Sequence, residues 1–198
     1  AAVCSDLLER TASTGCVLRG HFRLQSGRHS PCFVRFSLLG REAGHADAIA
    51  RHLQELAGAM LANAQLLCVS TASEWLGRAL ERSSGRSLAT VEIDMRRRPT
   101  KALRAGMLMP GTEVVLVTDV VTSGQTLCSL VELAKGHGAK PVGVLSFATL
   151  DERLFHRWAS DQGLRGISLL AACWTTAPAA TCTQCAEKKP LMPAIELN

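Results

Sequence analysis

Val114-Val-Leu-Val-Thr-Asp-Val-Val-Thr-Ser-Gly-Gln-Thr126 is the stretch on which the reading of this chain turns. Its apolar run follows the turn residues Pro110-Gly111 and suits a strand over 113–118, buried on both faces of a sheet. The run ends at Asp119, and a loop rich in hydroxyls follows. Leu127, Leu130, Val131 and Ala134 then recur at helical spacing until Gly136-His137-Gly138 stops them. In a parallel sheet such a strand–loop–helix junction lies at the carboxyl edge, where ligands bind. Amides at the helix start, joined by the hydroxyls of Thr122, Ser123 and Thr126, make a cradle for a phosphate that the helix dipole favours. Gly124 permits the backbone angles that turn amides toward an anion. Asp119 stands beside the cradle, placed to accept hydrogen bonds from sugar hydroxyls. The plainer alternative is a helix cap with a satisfied aspartate. Neither G-x-x-x-x-G-K-[ST] nor G-x-G-x-x-G occurs, which argues against a nucleoside triphosphate or dinucleotide site.

Outward from this junction, strands and helices alternate. Residues 20–36 alternate apolar and polar positions on either side of Ser26-Gly27, which predicts a hairpin. Ala46, Ile49, Leu53, Leu56 and Met60 predict an amphipathic helix over 42–61, and residues 6–13 a short one. A buried strand is expected at 66–70. Thr71-Ala-Ser-Glu74 reads as a capping box opening a helix that carries Leu76, Ala79 and Leu80. Further strands are expected at 87–93 and 140–148. The basic stretch 95–104 reads as a loop or the arm of a hairpin. The pattern implies an α/β fold with a mainly parallel central sheet flanked by helices.

The 198 residues suit one domain, with a core over about 41–173 and a small hood from about 1–40 and 174–198. A hydrophobic fraction of 47% against 20% charged residues excludes a disordered or collagen-like chain. A net charge of +5 is read as an ordinary basic surface, with no nucleic-acid partner expected. No apolar run approaches the length of a bilayer, and the opening AAVCSDLLERTASTG shows no secretory pattern, so neither a membrane partner nor export is expected. Of eight cysteines, Cys68, Cys128 and Cys173 lie in apolar stretches and are read as buried reduced thiols of a cytoplasmic protein. Cys182 and Cys185 form the single C-x-x-C pair. Cys173 offers a third ligand and no further Cys or His lies downstream, so an incomplete zinc site and no protein-bound metal are expected. His21 and His29 are read as surface or packing residues, and Phe33 as a core residue able to stack on a base.

Residues 114–126 resemble the phosphoribosyl-pyrophosphate (PRPP) signature of type I phosphoribosyltransferases. Gly20-His-Phe-Arg-Leu-Gln-Ser-Gly-Arg-His-Ser-Pro31 is similar to the amino-terminal motif of orotate phosphoribosyltransferases. Cys182-Thr-Gln-Cys185 with Lys189-Pro-Leu191 resembles the C-P-L-C…P-L ending of one bacterial and archaeal branch. The resemblance implies that orotate and PRPP give orotidine monophosphate and pyrophosphate in pyrimidine biosynthesis, with Mg2+ on the pyrophosphate. It implies that Thr122 to Thr126 bind the 5-phosphate and that Asp119 holds the ribose hydroxyls at the catalytic centre. Thr71, Ala72 and Ser73 would meet the pyrophosphate. Arg96, Arg97 and Lys101 would belong to a basic loop that reaches the leaving group, often across a homodimer interface, with Arg96 and Lys101 catalytic. Ser26, Phe33 and Arg153 would face the base, although an ungapped reading puts Leu150 in place of Arg153.

This chain departs from the pattern at several positions. Thr118-Asp119 replaces an acidic pair, and Glu74-Trp75 stands where the branch tends to have glycines. Gln25 replaces a lysine that contacts substrate, and the basic loop is short. Two further readings follow: a transferase for another base, or a non-catalytic binder of PRPP or a nucleotide. Glu74 is expected to face its own helix terminus and leave the pocket open.

Overall fold

The structure, a computed structural model, describes residues 15–24, 26–35, 38, 44–171 and 176–193. The expected helix over 6–13, Gln25 and Cys173 lie outside them. In chain order, β1 (Val17–Arg23) and β2 (His29–Val34) form an antiparallel hairpin, and α1 (His45–Ala57) follows. Next come β3 (Gln65–Val69), α2 (Ser73–Ser84), β4 (Leu88–Ile93), β5 (Pro99–Ala105), β6 (Glu113–Val121) and α3 (Gln125–Gly136). The chain continues through β7 (Lys140–Thr149), α4 (Glu152–Asp161), β8 (Arg165–Ala171), α5 (Thr183–Ala186) and β9 (Met192–Pro193).

Six strands form one sheet in the order β5-β4-β3-β6-β7-β8, parallel except where β5 pairs antiparallel with β4. The α/β architecture is the one expected. From β3 the chain winds outward to β4 and β5, then returns to place β6 on the other side of β3 and winds on to β7 and β8. The strand order therefore reverses between β3 and β6. Loops leaving the carboxyl ends of these two strands diverge, and a crevice opens between them. Apolar side chains explain why the sheet is covered twice. Leu66 and Cys68 of β3 and Val115 and Val117 of β6 pack with Ile49, Leu53, Leu76 and Leu80 of α1 and α2. Leu67, Val114 and Leu116 point the other way and meet Leu127, Leu130 and Val131 of α3 and Phe155 of α4. Successive residues of one strand serve opposite faces, so the run has to be apolar throughout.

Several boundaries differ from the sequence reading for local reasons. β6 passes Asp119 and ends at Val121, because Val120 and Val121 still pair with Ala148 and Thr149 of β7. The helix over 42–61 breaks at Gly58, whose φ of 53 ends α1, and a short 3-10 turn covers 58–61. Of the two readings of the basic stretch, the hairpin arm is the one that forms. Asp94 makes the turn: its carboxylate accepts the amides of Arg96 and Arg98 at 2.9 and 2.8 Å. Those bonds and the Arg98 guanidinium hold its carboxyl below the usual range. Helix α4 and strand β8 were not anticipated; α4 buries only Phe155 and Ala159. Cys68 is buried as expected, whereas Cys128 is exposed on α3 and accepts a hydrogen bond from Trp158 Nε1 at 3.2 Å. Among the described residues no helix is long and apolar enough to cross a membrane.

A second, three-stranded sheet sits apart, in the order β2-β1-β9. β9 is only two residues long and runs parallel to β1, with Phe22 opposite Met192 and Arg23 opposite Pro193.

Candidate active site

A cleft of about 200 Å³ opens where the strand order reverses. Its floor is the end of β6: Thr118, Asp119 and Val120. One wall is the loop between β3 and α2, with Thr71, Ala72 and Ser73; the other is Thr122 and Thr126 at the mouth of α3. The hairpin of β4 and β5 contributes Arg97 and Pro99, and the small sheet roofs the space with Leu24, Cys32, Phe33 and Val34.

Asp119 is tied to the opposite wall. Ser73 Oγ donates to Asp119 Oδ1 at 3.0 Å and accepts from the Asp119 amide at 3.4 Å, so one hydroxyl couples the two loops. Burial pushes the Asp119 carboxyl above its ordinary value, against hydrogen bonds that pull it down, from the Val120 amide, Ser73, its own amide and Thr118. Thr118 Oγ1 lies 3.5 Å from Asp119 Oδ1. A second carboxylate at 118 would repel Asp119; the hydroxyl at that position solvates it instead.

The loop 122–126 leads directly into α3. Gly124, at φ 76, is the N-cap of α3, and the first helical bond runs from the Cys128 amide to the Gly124 carbonyl at 3.0 Å. The amides of residues 125–127 precede that bond and point out of the helix start, toward the loop. Thr122, Ser123 and Gln125 are exposed, while Gly124 and Thr126 are half-buried.

Arg97 brings a cation to the rim in an unusual way. Its amide donates to the Asp94 carbonyl at 2.8 Å, and its φ of 58 places it in the left-handed region. Glycine is the ordinary choice there, since an L side chain costs about 1–2 kcal/mol. Arg98 is committed elsewhere, bonded to Asp94 through Nε at 2.9 Å.

The structure divides the remaining candidates. Phe33 lines the cleft, its ring centroid 5.9 Å from that of Phe22. Arg96 and Lys101 are exposed on the β4–β5 hairpin, outside the lining of this cleft. Ser26 is exposed in the turn of the β1–β2 hairpin and does not reach it. Arg153 is exposed on α4, and Leu150 occupies the lining, as the ungapped reading had it. Roof residues Cys32 and Val34 carry no motif, and Leu24 lies within the 20–31 motif without being singled out there.

Glu74 corrects the capping-box reading. Thr71 Oγ1 accepts the Ser73 amide at 3.4 Å, but the Glu74 carboxylate does not return to its helix terminus: it turns to Arg78 at 3.3 Å and Arg104 at 3.4 Å. Two guanidiniums outbid one amide for a carboxylate. The expected consequence stands on this different ground, because Glu74 does not line the cleft. Trp75, 47% exposed, is also turned away from it.

No model of a known protein family matches the chain. An orotate phosphoribosyltransferase of Methylorubrum extorquens (strain PA1) is 30% identical over 166 residues, covering 74% of this chain and 83% of that protein. One from Thermus thermophilus is 29% identical over 187 residues, covering 94% of this chain and 98% of that protein. Among solved structures, orotate phosphoribosyltransferase from Aeropyrum pernix superposes with a TM-score of 0.70 at 23% identity, covering 83% of this chain and 93% of that one.

Proposed function

Because the chain belongs to the orotate phosphoribosyltransferase family, we propose that the cleft at the carboxyl ends of β3 and β6 is where it performs that family's reaction. The enzyme is a pentosyltransferase: PRPP gives its phosphoribosyl unit to orotate, yielding orotidine 5'-monophosphate and pyrophosphate in pyrimidine biosynthesis. The carbon–oxygen bond to pyrophosphate breaks as the bond to the base forms. The ribose passes through an oxocarbenium-like state, and the enzyme must hold both ends of the donor while negative charge gathers on the leaving group.

Each wall then has a task. The loop 122–126 with the first amides of α3 binds the 5-phosphate, a dianion at a helix N-terminus. Asp119 accepts hydrogen bonds from the ribose hydroxyls. Thr71, Ala72 and Ser73 meet the pyrophosphate with hydroxyl and amide donors, and Arg97 faces it across the cleft as a cation. Phe33 lies in the roof, where a planar base stacks. Among the described residues Asp119 is the single carboxylate in the lining, too few for a dedicated metal cage. Mg2+ suits such a site, since it keeps several waters and binds mainly through substrate phosphates. When bound it neutralises charge on the departing pyrophosphate. Arg96 and Lys101, exposed on the hairpin, would serve a neighbouring subunit's cleft in a homodimer. Burial pushes the Cys32 and Cys68 thiols above their ordinary value, and such inert buried thiols suit a reducing cytoplasm.

The observation that carries this reading is the Ser73–Asp119 bond, which holds the Asp119 carboxylate against the 71–73 loop, beside the loop 122–126. Purified protein with PRPP, Mg2+ and a panel of bases tests it by pyrophosphate release. Release with orotate that falls steeply in Asp119→Asn supports it. PRPP binding without release for any base would leave a non-catalytic binder.

A further inference from the structure

We propose that His21, His29, Cys182 and Cys185 form a structural zinc site that fastens the segment 176–193 to the β1–β2 hairpin. The count that left the C-x-x-C pair incomplete looked for ligands downstream; the fold brings both missing ones from upstream. His21 stands on β1 and His29 opens β2, while Cys182 precedes α5 and Cys185 lies within it. One ligand atom from each of the four residues falls within 4.8 Å of the others.

Four of the spacings inside the cluster lie near those of a tetrahedron, and every ligand atom is within 4.8 Å of the others. Bonds of about 2.3 Å to sulfur and about 2.0–2.1 Å to nitrogen require ligand atoms about 3.3–3.8 Å apart. Cys182 Sγ lies 3.5 Å and Cys185 Sγ 3.6 Å from His21 Nε2, and Cys185 Sγ lies 3.2 Å from His29 Nδ1. The two ring nitrogens are 2.9 Å apart, a few tenths of an ångström inside the expected edge. The orientation also fits. His21 Nδ1 is 3.0 Å from the Lys189 carbonyl, which only accepts, so Nδ1 carries the proton and the Nε2 lone pair faces the cluster. A ligating histidine whose other nitrogen donates to a backbone carbonyl is the usual outer support of a metal site. Two thiolates and two imidazoles in a tetrahedron select zinc, and four protein ligands leave no position open for catalysis.

The segment 176–193 needs such a fastening. Cys182 is its one buried side chain among the described residues, at 8% exposure, while His21 and His29 beneath it are 2% and 5% exposed. A four-residue helix and a two-residue strand do not hold themselves against solvent. The segment also lies close on β1: Gln184 Nε2 donates to the Gly20 carbonyl at 3.0 Å, and a Cβ at Gly20 would meet Met192 Cε at 2.7 Å. The hairpin clamped in this way supplies Leu24, Cys32, Phe33 and Val34 to the cleft roof.

Elemental analysis of the untagged, reduced full chain is the test, read without turnover and so separable from the transferase reading. About one zinc per chain is expected, as purified or after titration with Zn2+ and desalting. Replacement by Co2+ should give strong tetrahedral ligand-field bands and a thiolate-to-cobalt charge-transfer band. Cys182→Ser with Cys185→Ser should abolish metal uptake. Should that variant fold poorly, His29→Cys provides a second reading: it should retain one metal and intensify the charge-transfer band, as a third thiolate joins the site. The proposal is overturned if reduced protein takes up neither metal, if the double serine variant keeps its zinc, or if His29→Cys leaves the cobalt spectrum unchanged.

Discussion

The cleft and the histidine–cysteine cluster are built on opposite terms. In the cleft, side chains are held against their own preferences. Asp119 is buried where its charge is disfavoured, and Arg97 adopts a backbone angle that suits glycine. In the cluster each polar group finds another: ring nitrogen to ring nitrogen, sulfur to ring nitrogen, imidazole to carbonyl. The contrast separates a site that must meet a ligand from one that holds the chain together. Groups that wait for a charged substrate carry unspent interaction energy, and the surrounding fold has to sustain them.

The contrast can be broken most directly at Asp119. Asp119→Asn should weaken PRPP binding by about 1–3 kcal/mol, because a charge-assisted bond to a ribose hydroxyl becomes a neutral one. Unchanged affinity by calorimetry would make Asp119 a structural group. Arg97→Gly should move function and stability in opposite directions. Relief of the left-handed backbone should stabilise the protein by about 1 kcal/mol in urea unfolding, while PRPP affinity falls. A loss of stability would show that Arg97 sits there without strain. Glu74→Gly lies outside the cleft and should cost about 0.5–1 kcal/mol of stability, from helix entropy and two screened ion pairs, with pyrophosphate release unchanged. A large rise in release would place the Glu74 charge back in the pocket.

The smallest expected effect is the stability of Asp119→Asn without ligand. A carboxyl raised in the folded state from its ordinary 3.8 ionises more readily in the unfolded chain, so its charge destabilises the fold at neutral pH. The variant should therefore melt slightly higher than the parent at pH 7. The gain should shrink as pH falls toward that ordinary value, because the parent's carboxyl takes up its proton in the fold before it does in the unfolded chain. A gain independent of pH would trace to packing instead.

The cleft was more legible in the sequence than the cluster, for a physical reason. Strand β6, its loop and α3 are contiguous, and each states its own periodicity: an apolar run, a glycine at the turn, then helical spacing. Helix α4 left a weaker trace, since only Phe155 and Ala159 mark its inner face. Its one clear signal was Asp151, whose carboxylate accepts the Leu154 amide at 3.0 Å as an N-cap. Glu74 shows how a correct motif can mislead: T-x-x-E spacing offers a local bond, but Arg78 and Arg104 compete for the same carboxylate.

The α/β alternation and the strand–loop–helix junction at 119–126 can be read locally in the sequence, because they rest on contacts within a few residues. Tertiary structure decided what depends on distant parts of the chain. It turned Glu74 and Trp75 out of the cleft, brought Leu150 rather than Arg153 to its lining, and set Arg97 at its rim. It also joined His21 to Cys182 across 161 positions of sequence. Such a pairing leaves no periodic trace, since nothing in either local segment depends on the other until the fold has closed.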